Sequence, residues 1–398
     1  MINFSKDIEG FRAHVPVTKD WAYLITASTG LIPDFVYEGV RRYMDDRYLK
    51  GGDSVWAYDD GETGTLGMME RAKAALGRML GCPAEGIAFG QSATQLFTMV
   101  TEGIDYAPGA NVVTPGAGWI GSRYAWQKRE AEGLEVRYAR PVDGLIRAEQ
   151  LMALCDENTA AVTVNLVESD TGYLMDIKKL AAFCRERGIL LFVDAVQAAG
   201  ALKIDAAEWG ADFLVGNDYK WMMNFCGTGY AYVGERVRSL VKHWGAGWMS
   251  DTERFNTGKA RLELRPDAGR FEIGYPHADG IYGLGLAAAQ YELLGAENVE
   301  RCVRSLGDYC RERALGTPGA GLAYDIEPAA CCQIAVVTLD ASLGLRDEDF
   351  VNAKVFAPSL GAPDAEGRHR LRLSLHYYNN REDIDRFFAV VEAAGKRG

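Results

Sequence analysis

Between residues 86 and 233, short β-type runs alternate with segments whose apolar positions recur at helical spacing. The runs are "GIAFG", "NVVTP", "LEVRYA", "AAVTVNLV", "GILLFVD" and "ADFLVGN". This alternation predicts α/β architecture with a largely parallel central sheet. The run "ILLFV" is apolar at every position rather than every second one, which suits a central strand covered on both faces. Between strands, "MDIKKLAAFCRERG" ends in charged residues and Gly188, the pattern of a helix C-terminus.

After "GRFEIGYPHADGIYGLG" a long helical stretch, "LAAAQYELLGAENVERCVRSLGDYCRERAL", leads into a smaller region. That region holds the strands "QIAVVTLD" and "RLRLSL" and closes with an amphipathic helix behind Asn379 and Asn380. At 398 residues the chain exceeds the size at which a single core usually stops growing. The reading is therefore an N-terminal segment over 1–20 packing near the small domain, a large domain over 21–285, and a smaller C-terminal α/β domain over 286–398.

Charge narrows the partners. A formal net charge of −12 opposes a broad nucleic-acid or acidic-membrane surface, so neither partner is expected. The start "MINFSKDIEG" has no basic region ahead of an apolar core, and the expected location is the cytoplasm. The eight cysteines are irregularly spaced without C-x-x-C, and the five histidines include no H-E-x-x-H, so neither a disulfide framework nor a metal site is expected.

In an open α/β sheet, ligands bind beyond the carboxyl ends of the strands. There the chain places Gln91, Ser92, Ala93 and Thr94, then Trp119, then Glu168, Ser169, Asp170 and Thr171, then Asp194 with Gln197, and finally Lys220. Singly each has an ordinary explanation: Ser92 or Asp194 as a helix cap, Trp119 as core, Lys220 as surface. Together they supply a primary amine for a Schiff base, a carboxylate to hold a ring nitrogen protonated, and a helix N-terminus for a phosphate. Pyridoxal 5′-phosphate needs all three.

On these residues the sequence resembles the class V branch of the fold-type I pyridoxal-phosphate enzymes, which includes alanine–glyoxylate-type aminotransferases, cysteine desulfurases, isopenicillin N epimerase-like proteins and kynureninase. The resemblance runs from "YLITASTGLIP" to "RLRLSLHYYNNREDIDRF". Its most specific part is "VDAVQAAG", followed 26 residues after Asp194 by "YKWMMNFCGTGYAYV". It implies that Lys220 forms the Schiff base, that Asp194 partners the pyridine nitrogen, and that Gln197 and Ser169 approach the phenolate oxygen. Ser92, Ala93 and Thr94 would hold the phosphate, Trp119 would stack on the ring, and Arg372 would pair with the substrate α-carboxylate, where a planar bidentate fork is apt. A homodimer acting on a small amino-acid substrate is also implied.

Departures from the family pattern limit the transfer. Trp119 stands where many members carry histidine, Asn217 and Tyr219 flank the lysine in place of serine and histidine, and Tyr275 and His277 occupy the stretch that often contacts the partner's phosphate. A cysteine desulfurase needs a mobile-loop cysteine shortly before the arginine, and "AKVFAPSLGAPDAEGRHR" has none; Cys226 is the one cysteine placed to lie near the site. "VESDTG" resembles the aminotransferase group, so transamination is the leading expectation, with lyase or epimerase chemistry as the alternative. "GAGWIG" also fits a dinucleotide fingerprint, with Arg140 where an NADP phosphate would sit, a remote reading. A catalytically silent relative would have lost the lysine or the aspartate, and both are present. Trp56 and Tyr58, with Trp119, are candidates to line an apolar substrate pocket.

Overall fold

The structure is a computed structural model that describes residues 2–51, 64–242, 244–254 and 256–396. Its strands are β1 (Ala22–Tyr23), β2 (Ile87–Gly90), β3 (Asn111–Pro115), β4 (Glu135–Ala139), β5 (Thr159–Asn165), β6 (Leu190–Asp194), β7 (Phe213–Asn217), β8 (Gly229–Val233), β9 (Ala320–Leu322), β10 (Ile334–Asp340), β11 (Val355–Phe356) and β12 (Arg368–Ser374).

Seven of them form one sheet in the order β2-β8-β7-β6-β5-β3-β4. Pairings from β7 through to β4 are all parallel, and β8 runs antiparallel to both its neighbours. The sheet is thus mostly parallel, as the alternating pattern predicts. Every residue of β6 is buried, in keeping with a strand covered by helices on both faces. Each large apolar side chain so covered contributes roughly 1.5–3 kcal/mol of transfer free energy.

Local signals placed the helices. The helix Ile177–Arg187 begins at Asp176, whose side chain accepts from the Lys179 N–H, and ends at Gly188 with φ of 69°. The stretch read as one long helix is two, Ala278–Leu294 and Ala296–Gly316, separated by Gly295 at φ 83°. A residue without a Cβ adopts that left-handed conformation at little cost, and the chain turns there.

A second core lies in the C-terminal part. β9, β10 and β12 form an antiparallel sheet with β10 central, packed by the closing helix Arg381–Gly395, whose N-cap is Asn380. The N-terminal chain joins this core: β1 pairs with β11, and Ala22 and Leu24 pack among Leu306, Leu371 and Phe387. The division at 21 and 285 stays a proposal, and this packing argues for counting residues 22–25 with the C-terminal unit. No helix among the described residues is long and apolar enough to cross a membrane.

Candidate active site

Parallel strands deliver their C-terminal residues to one edge, and register brings neighbours together: Asn165 at the end of β5 sits opposite Asp194 at the end of β6. Three residues past β7, Lys220 turns back toward that edge and is buried. Gly30 permits this turn. Its N–H donates to the Tyr219 carbonyl at 2.8 Å, and a Cβ on it would stand 1.9 Å from the Lys220 carbonyl oxygen.

Five of the sequence-predicted residues, Trp119, Ser169, Asp194, Gln197 and Lys220, line one cavity. Lys220 Nζ lies 5.4 Å from the centre of the Trp119 ring and 5.9 Å from that of Tyr219. Among the described residues it makes no ion pair, although Asp194 shares its cavity. Burial, with Arg372 acting in the same direction against the pull of Asp194, pushes the Lys220 amine down to about 8. Burial likewise raises the Asp194 carboxyl, opposed by the Val196 N–H, which donates to its Oδ1 at 2.9 Å, and by Lys220.

Trp119 is 49% exposed, so it is not a core residue. The glycines around it make room for close packing. A Cβ at Gly121 would lie 2.4 Å from Trp119 Nε1 and 2.9 Å from Thr94 Oγ1, and one at Gly118 would lie 2.4 Å from the Glu168 carboxylate. This accounts physically for the glycine spacing that also fits a dinucleotide fingerprint. Through it the start of the helix Ala93–Gly103 abuts the aromatic ring. Ser92 is the N-cap of that helix, its Oγ accepting from the Gln95 N–H at 3.1 Å, so the capping explanation holds for its hydroxyl. Gly229 crosses so closely that a Cβ there would stand 2.2 Å from the Ser92 carbonyl carbon.

Arg372 reaches the site from the C-terminal sheet by strand alternation. Leu371 and Leu373 are buried in the C-terminal core, which turns Arg372 to the opposite face. Its Nη1 donates to the Ser169 carbonyl at 2.9 Å and its Nη2 to Ser28 Oγ at 2.9 Å. Three of the five guanidinium N–H donors remain for a ligand. Asn217 is buried beside the lysine turn, and its side chain hydrogen-bonds the Tyr219 hydroxyl, whose proton affinity burial raises.

Tyr275 and His277 do not line the Lys220 cavity of their own chain. They border a separate groove with Gln91, Gln95 and Phe271, where His277 Nδ1 lies 2.8 Å from Thr228 Oγ1. Trp56 and Tyr58 lie outside the described residues. The sequence reading missed Asn165, Val167 and Val196, which complete the cavity wall. Extending the survey three residues inward from Glu168 would have found both Val167 and Asn165. The same reading placed Glu168 after its strand without a role, and burial pushes that carboxyl up to about 7; it missed Ser28, which no local pattern marks.

Pyridoxal 5′-phosphate fits this donor set. The cavity has an aromatic face, an amine and a carboxylate that form no ion pair among the described residues, and a buried Asn165 Oδ1 without a partner among them. A capped helix N-terminus adjoins it for a phosphate. Comparison with known proteins agrees. The chain matches the family described as "Aminotransferase class-V" over residues 22–387. It is 23% identical over 392 residues to the uncharacterized aminotransferase YcbU of Bacillus subtilis (strain 168), covering 98% of each chain. It is 22% identical to a probable cysteine desulfurase of Methanothermobacter thermautotrophicus, again covering 98% of each. The apo structure of a cysteine desulfurase from Thermococcus onnurineus NA1 superposes with a TM-score of 0.82 over the whole of both chains, and at 19% identity that likeness is one of fold. The chain therefore belongs to the class-V aminotransferase family, whose cofactor is pyridoxal 5′-phosphate.

Proposed function

We propose that the protein is an aminotransferase acting on a small α-amino acid, with Lys220, Asp194 and Arg372 as its central residues, working as a homodimer. The observation that carries this reading is the buried Lys220 amine beside Trp119, in a cavity shared with Asp194 and overlooked by Arg372. The bound cofactor supplies a ring that withdraws electrons from the substrate α-carbon, which the protein alone lacks.

The chain's own residues do the rest. Lys220 would hold the cofactor covalently and, once released as a neutral amine, would take the proton from the substrate α-carbon and pass it to the cofactor, the transfer that transamination requires. Asp194, in the cavity wall, would favour a positive charge on the cofactor's ring nitrogen. The free donors of Arg372 bind the α-carboxylate as a fork and so orient the Cα–H bond. Thr94, Ala93 and Ser92 present a helix N-terminus to the phosphate. Tyr275 and His277, outside the cavity of their own chain, suit contact with a partner subunit's site, as the family resemblance implies.

A second reading, a lyase or epimerase, is favoured by the relatives named as cysteine desulfurases, because the same amine, acid and arginine serve those reactions. Against persulfide chemistry, residues 353–370 ahead of Arg372 contain no cysteine, and Cys331 and Cys332 are buried. Cys226 is exposed in the loop after Lys220 and is the thiol a desulfurase reading would use. The test supplies the cofactor-loaded protein with single amino acids and a keto-acid acceptor. Appearance of the matching new amino acid and keto acid establishes transamination. Release of ammonia or sulfide, or loss of optical purity without transfer, replaces it with the second reading.

A further inference from the structure

His376 lies four residues beyond Arg372 and has no part in the function proposed above. It is fully buried between aromatic planes: the Trp221 indole at 5.7 Å between centroids and 9° between planes, and the Tyr378 ring at 4.4 Å and 12°. Its Nε2 is 3.1 Å from the Trp221 carbonyl oxygen. A carbonyl only accepts, so the network assigns the proton to Nε2, and the imidazole donates. Burial pushes this imidazole down to about 3, keeping it neutral, and Nδ1 has no partner among the described residues. Behind it Tyr377 and Tyr378 are raised by burial and stay phenols, while Asp383 is paired with Arg12 and hydrogen-bonded by Asn379.

Trp221 directly follows Lys220. Its indole N–H donates to Gln197 Oε1 at 2.8 Å, and Gln197 Nε2 donates to the Ala27 carbonyl at 3.0 Å. An indole can only donate and a carbonyl only accept, so these two partners decide which end of the amide is oxygen. One Gln197 N–H is left for the cavity that it lines with Asp194 and Lys220. The circuit then closes: the Ala27 N–H donates to Ser374 Oγ at 2.9 Å, Arg372 donates to the neighbouring Ser28, and the chain runs on from Ser374 to His376.

We propose that His376 is a positioning residue: by holding Trp221 it fixes the Gln197 amide with an N–H toward the cofactor's phenolate oxygen, and it ties that orientation to the segment carrying Arg372. This rests on the reading of Lys220 as the cofactor-holding amine. A donor at the phenolate oxygen would favour the deprotonated form of the cofactor–lysine chromophore, so a misplaced amide would raise the pH at which the visible band changes.

The test titrates the visible absorbance of the pyridoxal-phosphate-loaded protein against pH and follows thermal unfolding of the same protein without cofactor. His376→Phe keeps a stacking ring and loses the donor; its band midpoint is expected to rise by up to about one pH unit, the scale of one hydrogen bond. His376→Gln, which retains an N–H, is expected to recover most of that rise, and Trp221→Phe to reproduce it. A midpoint equal to wild type in His376→Phe, with only the unfolding temperature lowered, reduces His376 to packing and overturns the proposal. Where His376→Phe does not fold, an unchanged midpoint in Trp221→Phe overturns it instead. A wild-type protein that forms no band with added cofactor overturns the Lys220 reading and this proposal together.

Discussion

Lys220 shows how one side chain's surroundings set its chemistry. A lysine ordinarily titrates near 10.5, and burial lowers this one to about 8. The neutral amine is the form that attacks a carbonyl, so borohydride-trapped labelling of Lys220 by pyridoxal phosphate should rise through about pH 8 rather than near 10.5. Mass spectrometry of the labelled peptide would check this, and Lys220→Ala should abolish the label while leaving the fold largely intact. The sign for stability follows from the same shift. Between 8 and 10.5 the unfolded chain holds the proton and the folded one does not, so the cofactor-free protein should gain stability as pH rises through that window. A Lys220→Ala variant that shows the same gain would remove Lys220 as its source. At Arg372, lysine offers a point charge in place of a fork already anchored by Ser28 and Ser169. Arg372→Lys is expected to raise KM for the amino acid by about 10- to 100-fold. An unchanged KM in steady-state assays would mean that the carboxylate is held elsewhere.

Elements explain why these residues meet. The parallel strands β5 and β6 end in register and β7 runs two residues further at the same edge, β12 turns Arg372 away from its own core, and the start of the helix Ala93–Gly103 packs against Gly229 beside the site. That contact leaves no space for a methyl group. Gly229→Ala should displace the helix start and weaken cofactor affinity by about tenfold or more, for a loss of one or two hydrogen bonds. Fluorescence titration with pyridoxal phosphate would measure it, and unaltered affinity would show that this helix start does not hold the phosphate. Much at this scale was legible beforehand. Hydrophobic runs marked β2 to β7, and Gly188 and Asn380 marked helix ends, because those signals act through neighbouring backbone atoms. The break at Gly295 was missed, since a glycine within a helical pattern is tolerated as often as it is used for its left-handed conformation. The reversed direction of β8 was also not legible, because it depends on pairing with β7 and β2 and not on the strand's own residues.

Across the whole molecule, contacts far apart in sequence fasten the N-terminal chain to the closing helix and one side of the large-sheet part to the other. Arg12 grips both carboxylate oxygens of Asp383 at 2.7 and 2.9 Å, and Lys73 pairs with Glu272 at 3.0 Å with both side chains buried. Glu272 Oε1 also accepts from the Phe89 N–H at 3.1 Å. Lys73→Met strands a buried carboxylate and is expected to cost about 3–5 kcal/mol in denaturant unfolding, whereas replacing Glu272 by leucine as well should recover much of that loss. A single variant as stable as wild type would mean that water or rearrangement solvates Glu272.

Sequence alone determined what depends on local order. The period of apolar positions reports which faces are buried, and the polar residues clustered after strand ends report where a ligand lies in any open parallel sheet. The spacing of Asp194 and Lys220 carried the family and its cofactor. Tertiary structure alone decided which groups touch. Ser28 meets Arg372 across 344 residues, and His376 braces Trp221 across 155. Tyr275 and His277 face a groove separate from the cavity of Lys220. None of these follows from propensity or pattern, because a contact between distant segments is set by how whole layers pack, and its energy exists only once both sides are in place.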